Sequence, residues 1–360
     1  FGDIFRVHVT VQRSTVLAAY SGPSGMAQAL SLFGLNNQPY ITVRPWPPPS
    51  AESGASSQLD DEESLRAAAA VSLRVVDGSI VSAAATNGDQ GLPFASCAMC
   101  FFTPFALFFA TFAASNQSIV RARSYAFGDA NAVVVLLKTA GDGIRMAVDD
   151  GSHVAANAFQ GSANALCFGG VPDSNSVPIT RGMIAATGKS TVTAVTSGGV
   201  SMWSGRVVNY MSMAVRLFSE SGSVRTSDVR LDDALVVANT SAGHVTAVCI
   251  DSHDESTDVA IFVNRTTVTA FATFASSPVS FSSTGFQSIV LRTQGAVLKN
   301  ATIEVFGSSL MSTAEFQMAF VGMFTNQDVS RTVIVFRDTV LNAISRRQGA
   351  AVGFLVLVYG

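Results

Sequence analysis

The densest group of chemically capable side chains lies in an acidic loop, 251–258, between two expected strands. Its members are Asp251, His253, Asp254, Glu255 and Asp258. Carboxylate oxygens at this density could hold a calcium ion, which takes oxygen ligands. The loop lacks the ligand spacing and the glycine of a known calcium loop, so the sequence favours a solvated turn. Calcium binding by this loop is left open.

Two pairs of adjacent acids, Asp149-Asp150 and Asp232-Asp233, could each share a proton, because neighbouring carboxylates raise one another's pKa. Such pairs are more common in turns than at catalytic sites. We therefore expect both pairs to lie in turns.

Gly188-Lys189-Ser190 is similar to the end of a phosphate-binding loop. Gly182 lies one residue too far upstream for that spacing. The residues that follow, TVTAVT, are typical of a strand rather than of the helix whose N-terminus would hold phosphate. We expect no phosphate site here.

The histidines are scattered singly, and the sequence contains no HExxH, GxSxG or GxGxxG motif. The members of a Ser-His-Asp site need not be close in sequence, but no pattern in this sequence indicates such a site. We therefore expect no enzyme, no catalytic residues, no cofactor and no metal site. The histidines are His8, His153, His244 and His253.

Four cysteines are too few and too irregular for a disulfide scaffold in a chain of 360 residues. Cys97 and Cys100 have the spacing of half a zinc site or of a redox pair, but they lie in an apolar run and no second pair or nearby histidine completes a zinc site. With Cys167 and Cys249 they are expected to be buried thiols, and a reducing compartment is the simpler interpretation.

Asparagine begins four N-x-Ser/Thr sequons, which keeps open a secreted or surface-exposed adhesion protein as the alternative function. These asparagines are Asn116, Asn239, Asn264 and Asn300.

The chain is 48% hydrophobic and 13% charged, its mean hydropathy is +0.36 and its net charge is −3. Soluble domains usually carry about 25% charged residues. The apolar surface must therefore be offset by small polar side chains or be hidden against other copies. No basic cluster exists, which argues against tight nucleic-acid binding.

The segment Leu92–Ala114 is uncharged and long enough to span a bilayer. Pro93 and Pro104 interrupt it, so we expect an apolar strand and a short helix inside a β-domain, without membrane insertion. The chain begins at Phe1 without a basic region typical of a signal peptide, which favours cleavage from a precursor.

Short β-branched or aromatic runs recur at roughly ten-residue spacing between turn formers, a pattern typical of antiparallel sandwiches. The expected strands of the first half include Ile80–Ala85, Ser118–Phe127 and Ala132–Lys138, and TAGDG is expected to close a hairpin between AVVVLLK and IRMAV. From His244 onward, eight further segments would close a jelly roll, and 338–348 is expected to form a short helix or long corner.

The predicted fold is therefore all-β: an antiparallel jelly-roll sandwich, two in tandem, with few short helices. The alternative is one elaborated sandwich with long loops, across whose surface the segment 44–64 would pack. The proline-rich segment 44–64 is expected to form a long loop, and 171–181 a connection between the halves. The predicted domains are 1–185 and 186–360.

The stretch Pro104–Arg123, PFALFFATFAASNQSIVRAR, resembles the core of picornavirus-like (Picornavirales) capsid proteins. There an aromatic-rich segment leads into a strand that opens Arg-Gly-Ser-Ile/Val-x-Arg. Ser118, Ile119 and Arg121 match, while Asn116-Gln117 replaces Arg-Gly. A weaker echo lies at 217–225.

This resemblance implies a jelly-roll coat protein of a marnavirus-, dicistrovirus- or comovirus-like virus that self-assembles into an icosahedral shell enclosing the genome. Its partners would be other copies of itself, sister capsid proteins, weakly contacted viral RNA and a host receptor. It would be assembled in the host cytoplasm and reside in the virion. The functional site would be the interface between subunits.

Overall fold

The computed structural model describes residues 8–21, 26–32, 71–86, 95–103, 106–170, 176–197, 201–203, 206–208, 211–241, 243–273, 286–314, 318–346 and 351–358, and all structural statements concern these residues. Every regular element among them is a β-strand. No helix that could cross a membrane occurs in this part of the chain.

The strands wind into a parallel β-solenoid of nine coils, each with three sides. Side A consists of β1 His8–Gln12, β4 Ser72–Val76, β8 Thr111–Ala114, β12 Arg145–Val148, β16 Met183–Thr187, β21 Val224–Asp232, β24 Glu255–Asn264, β27 Thr302–Phe306 and β30 Val333–Arg337. Side B consists of β2 Thr15–Tyr20, β5 Ile80–Ala85, β9 Ile119–Phe127, β13 His153–Gln160, β17 Thr191–Thr196, β22 Leu235–Thr240, β25 Thr267–Ala272, β28 Ser309–Ala314 and β31 Val340–Ser345.

Side C consists of β3 Ala27–Leu32, β6 Ser96–Thr103, β10 Ala130–Leu137, β14 Ala163–Gly170, β20 Met211–Ser219, β23 His244–Ser252, β26 Phe286–Lys299, β29 Met318–Ser330 and β32 Ala351–Val358. Three two-residue strands, β7 Leu107–Phe108, β11 Gly141–Asp142 and β15 Ile179–Thr180, lie at the corner between sides C and A. β18 Ser201–Trp203 and β19 Arg206–Val208 form the one antiparallel pair described.

The predicted antiparallel jelly roll is wrong, because each strand pairs in parallel with the equivalent strands of the coils before and after it. On side B, Val154 is in register with Val120 of the preceding coil and with Val192 of the following one. The expected hairpin at TAGDG is also wrong: β10 pairs with β6 and β14, and β12 with β8 and β16. The segment 338–348, expected to be helical or a corner, contains β31.

Side B repeats one pattern in every coil: an aliphatic residue at its second position and a small residue at its fourth. These residues point inward, so each coil places the same shapes against the next. The inward columns are Val16, Val81, Val120, Val154, Val192, Val236, Val268, Leu310 and Leu341, and Ala18, Ala83, Ala122, Ala156, Ala194, Ala238, Ala270, Ser312 and Ala343.

The corner between sides A and B turns on a residue with left-handed backbone geometry in every coil. Glycine, aspartate and asparagine tolerate positive φ better than most residues do. A corner this tight redirects the strand onto the next side instead of reversing it beside its neighbour. The residues are Arg13, Asp77, Asn116, Asp150, Lys189, Asp233, Arg265, Gly307 and Asp338.

Side C bends where its register skips a column of small residues. Cα atoms of Cys97 and Cys100 are 6.0 Å apart, whereas three steps along a straight strand span about 10 Å. The skipped residues fill the inside of this bend. Five of them are buried: Ala98, Ala132, Ala165, Ala214 and Ala247.

One continuous core runs along the inside of the described coils, and its largest side chains include Phe101, Phe112 and Phe168. The rings of Phe101 and Phe112 have centroids 5.7 Å apart. Ladders on sides A and B continue through position 185, with β16 bonded to β12 and β21. The division into two domains near this position stays a prediction. Segment 44–64 lies outside the described residues.

Candidate functional site

The residues of the acidic loop 251–258 do not converge on one point. Asp251 lies next to the last residue of β23 on side C, while Glu255 begins β24 on side A and binds Lys299 Nζ at 2.8 Å. That hydrogen bond lowers the pKa of Glu255. Asp258 Oδ1 accepts a bond from the amide of Asn300 at 2.7 Å. Among the described residues no group of three or more His, Cys, Asp or Glu could hold a metal ion.

Both acid pairs lie at the corner between sides A and B, where Asp150 and Asp233 adopt positive φ. Burial, followed by the charge of Asp150, raises the pKa of Asp149. The two pairs belong to different coils, separated by the coil of Thr187 and Lys189. They are turn residues of the repeating corner.

Gly188-Lys189-Ser190 forms the same corner in its own coil, since Gly188 and Lys189 have positive φ and the Ser190 hydroxyl donates to the Thr187 carbonyl. The resemblance at Ser118 has the same structural position: the Ser118 hydroxyl donates to the Ser115 carbonyl at 2.6 Å and Ile119 begins β9. Both sequence features are corner serines followed by a side B strand.

The main charged network lies on the outer surface of side C. Arg292 donates two hydrogen bonds to the carboxylate of Asp251, the one from Nε at 2.9 Å. Arg216 lies 3.8 Å from Asp251, and its guanidinium stacks over the Phe218 ring at 3.7 Å. Gly169 leaves room for that ring, since a Cβ there would lie 2.3 Å from it. The side chains of Arg216, Asp251 and Arg292 are at least four-fifths buried.

Two thiols lie beside this network, with Cys249 between Arg216 and Arg292 in register. Burial raises the pKa of Cys167 to about 11 and also raises the pKa of Cys249. Because the thiolate is the reactive form, these cysteines are poor nucleophiles. The network is therefore suited to holding the outer surface of side C together rather than to covalent catalysis.

The prediction that all four cysteines are thiols is wrong. Cys97 and Cys100 form a disulfide, and Cys167 and Cys249 are free. The bend of β6 at Ala98 turns both Cys97 and Cys100 toward the outer surface of side C. On that surface lies a second, buried apolar cluster. It is formed by Cys97, Cys100, Val134, Leu136, Cys167 and Phe218.

The histidines do not converge on an acid-serine pair in the described residues. His153 begins β13 on side B, and burial lowers its pKa. His253 is exposed and pairs with the adjacent Asp254 at 2.9 Å. His8 borders an open depression of about 430 Å³ on side A with Arg74 and Phe109.

Side A carries a charged outer surface. Asp228 pairs with Arg230, and Asp232 accepts a bond from Arg265 at 2.8 Å. Arg337 lies over the ring of Phe306 at 5.7 Å. Most of these charges are paired within the coil or with the next one.

Side B differs from both other sides because its outer surface is partly exposed and nearly uncharged. The charged outward side chains described on its strands are Arg121 and Arg123 on β9. Six of the nine large exposed hydrophobic residues that the structure shows lie on this side. They are Leu17, Tyr125, Phe159, Leu235, Val340 and Ile344, between 40% and 67% exposed.

The outward positions of side B form three straight columns along the solenoid. The central strand β17 presents Thr191, Thr193 and Val195, all half-buried by their neighbours. At one edge the Phe271 ring has Arg346 over it at 5.3 Å. This regular surface of apolar and small polar side chains, which we call the side B face, is the candidate functional site.

Sequence reasoning expected an interface but did not locate this face. The signal was the alternation V-x-A in seven of the nine side B segments, which was present in the sequence but at uneven intervals. Hydrogen-bonded coil partners lie 32 residues apart for Asp232 and Asn264, 42 for Thr266 and Ser308, and 65 for Ser14 and Ser79. Insertions of different length therefore hid the repeat.

Comparison with protein-family models, curated proteins and solved structures finds no match to this chain.

Proposed function

We propose that this chain is a non-enzymatic structural protein: a rigid β-solenoid that works by associating with other copies of itself. The observation that carries the proposal is the side B face, a flat and nearly uncharged outer surface on the side that carries six of the nine large exposed hydrophobic residues described. Exposed apolar side chains gathered on one surface are a feature of protein interaction sites. Stacked coils make such a face rigid along its whole length.

Charge supports the same conclusion. With 13% charged residues the chain has few groups that could keep an apolar face in solution. Many of the charges described on sides A and C are held in ion pairs, such as Arg292 with Asp251 and Arg265 with Asp232. Side B is therefore the surface that gains most by burial.

The narrower expectation of a viral capsid protein stays a prediction. Sparse charge and self-association agree with it, but its jelly-roll argument does not survive the parallel solenoid. A shell role, with sister capsid proteins, RNA and a receptor as partners, would be established by closed particles in electron micrographs of native material.

A second candidate, a secreted or surface-exposed adhesion protein, is favoured by the Cys97–Cys100 disulfide, since such bonds persist in oxidising compartments. Three of the four sequon asparagines already use their side-chain amides in coil-to-coil bonds: Asn116 to Asp77, Asn264 to Asp232 and Asn300 to Asp258. Asn239, half-buried on the side B face, is the remaining acceptor.

A glycan on Asn239 would cover the side B face, so it separates the two candidates. Self-association predicts a bare Asn239 in native material, whereas an adhesion protein that works as a monomer allows a glycan there. Intact-mass measurement of the native protein decides between them.

Sedimentation equilibrium tests the proposal directly. We expect association at micromolar concentration that persists, or strengthens, as salt is raised, because apolar contacts are not screened. A single 37.5 kDa species over the full range of concentration and salt would contradict the proposal.

A further inference from the structure

We infer that the side B face packs against the side B face of a second copy, with the two-fold axis parallel to the strands and crossing β17. This inference rests on the proposed self-association and adds the surface and the symmetry. Two solenoids would then lie side by side with their coil order reversed.

The size of the face fits a stable dimer. Nine strands about 4.8 Å apart span about 40 Å, and six residues along each strand span about 20 Å. The resulting surface of about 800 Å² equals the contribution of each partner to a standard protein interface. Stacked sheets pack about 10 Å apart, so flat columns of small and medium side chains can meet without rearrangement.

Sides A and C are less suited to this contact. The outer surface of side C is already buried around Cys97, Val134 and Phe218. Side A exposes charged residues such as Arg145 and Arg230. Packing side A against itself would desolvate these charges, which opposes association.

The positions of Arg121 and Arg123 distinguish between two possible two-fold axes, one along the solenoid and one along the strands. Both lie on β9, the third of nine side B strands. An axis along the solenoid would place Arg121 against Arg121 of the second copy. An axis along the strands places β9 over β25 instead, so that Arg121 lies opposite the uncharged Thr269. Arg123, at the edge of the face, then lies opposite Phe271, whose ring has Arg346 over it at 5.3 Å. Each arginine pair is then about four strand spacings from its copy, roughly 19 Å.

The same axis pairs the two ends of the face. β2 lies over β31, which places exposed Leu17 opposite exposed Asn342 of the second copy. Near the centre, β13 lies over β22, with Asn157 opposite Asn239. Thr193 lies on the axis and therefore meets itself.

The first test uses a charge at the centre of the face. Thr193→Arg sets two guanidinium groups against each other across the axis, and we expect the dimer Kd to rise at least tenfold. Thr302→Arg is the matched control, because Thr302 is an equally half-buried outward threonine on side A. Both are made in a host that does not glycosylate, and their melting temperatures are compared with that of the parent chain.

The second test uses cysteine crosslinking with a bismaleimide of about 10 Å reach, the spacing of stacked sheets. A mixture of Leu17→Cys and Asn342→Cys should give a covalent dimer, and each variant alone should not. The native cysteines do not interfere, because Cys167 and Cys249 are buried and the other two are bonded.

The outcomes separate the inference from the proposed function. Self-association that survives Thr193→Arg overturns the side B contact and leaves self-association standing. A covalent dimer of Leu17→Cys alone overturns the axis. If the parent chain never associates, both the side B contact and the proposed self-association are overturned. This holds also where Thr193→Arg blocks binding to a different molecule.

Discussion

The backbone N–H of Ser118 donates to the hydroxyl oxygen of Ser152 at 3.1 Å, across one full coil of 34 residues. Ser14 and Ser79, Ala234 and Thr266, and Thr266 and Ser308 repeat this bond in other coils. The hydroxyl in turn donates to a carbonyl in its own coil, as Ser118 does to Ser115. At these four junctions, a ladder of hydroxyl groups thus ties the corner of one coil to the corner of the next.

Removing one hydroxyl from this ladder should destabilise the fold. Thr266→Val keeps the shape of the side chain but leaves the Ala234 N–H and the Asn264 carbonyl without their bonds of 3.2 and 2.7 Å. Thr266 is 1% exposed, so we expect a loss of about 1–3 kcal/mol in the free energy of unfolding. Urea denaturation measures it. Thr267→Val, at the exposed neighbouring position, should change stability by less than about 0.5 kcal/mol; equal effects would contradict the ladder.

Breaking the side C network should cost more than breaking a surface pair. Asp251→Ala leaves the largely buried Arg292 without its carboxylate and leaves Arg216 with only Glu220, at 3.5 Å, so we expect a loss of about 3 kcal/mol. Glu255→Ala removes the partner of Lys299 on a more exposed part of the surface and should cost at most about 1 kcal/mol. If chemical denaturation gives similar losses of unfolding free energy for the two variants, the side C network does not stabilise the fold more than a surface pair does.

The free energy of unfolding should fall as pH rises from about 4 to 7, because of the titration of Asp129. Burial raises the pKa of this carboxyl from 3.8 to about 7 in the folded state. The hydrogen bond that it accepts from the Ser162 N–H, at 2.7 Å, opposes this rise. In this range the folded chain holds a proton that the unfolded chain has released, so raising pH favours unfolding. At about 1.4 kcal/mol per pKa unit, and discounting the exposed part of the side chain, the effect is on the order of 2–4 kcal/mol.

Asp129→Asn should remove this component, since the amide oxygen can still accept the Ser162 bond. The comparison is the change in unfolding free energy between pH 4.5 and pH 7.5 for the variant and the parent chain. Asp338→Asn, at an exposed corner, is the control and should keep the parental pH dependence. A variant that also keeps it would rule out the role of Asp129.

Thiol labelling should distinguish the four cysteines. The folded chain should react with no alkylating reagent at pH 8, because Cys167 and Cys249 are buried and the pKa of each is raised. Unfolding without reductant should expose these two thiols, and reduction should add Cys97 and Cys100. Four reactive thiols in the unfolded, unreduced native protein would contradict the disulfide.

Much of the local structure was predictable from the sequence. Ile80–Ala85 was expected as a strand and is β5, and the expected strand Ser118–Phe127 contains β9. Alternating apolar residues specify an extended strand with one buried face, and this holds for parallel and antiparallel sheets alike. The expected strands therefore overlapped observed ones although their partners were wrong.

Strand pairing was not predictable from the same signal. The sequence predicts Gly143 in a hairpin turn, but this residue, with φ of +65°, forms a corner that carries the chain from side C to side A. Positive φ serves both kinds of turn. The partner of a strand here is a segment one coil away with the same V-x-A pattern, and only a search for unevenly spaced repeats would have found it. The β28 and β31 segments were missed because serine and asparagine interrupt their apolar character.

The expectation of an interface between copies stays a prediction, and the sequence did not show where on the fold such a surface would lie. Low charge indicated a surface hidden against other copies, and the structure shows where exposed apolar side chains collect. Leu17 and Ile344 belong to the same face although they lie near opposite ends of the sequence. That relationship exists only once the coils are stacked.

Native mass spectrometry of the protein from its natural source tests the central claim most directly, because it reports oligomeric state and covalent state together. We expect an even-numbered oligomer built from the 37.5 kDa chain, with a bare Asn239 and with each chain about 2 Da lighter than the fully reduced sequence because of one disulfide. A monomer at every concentration, or a chain with a glycan on Asn239, would contradict self-association through the side B face.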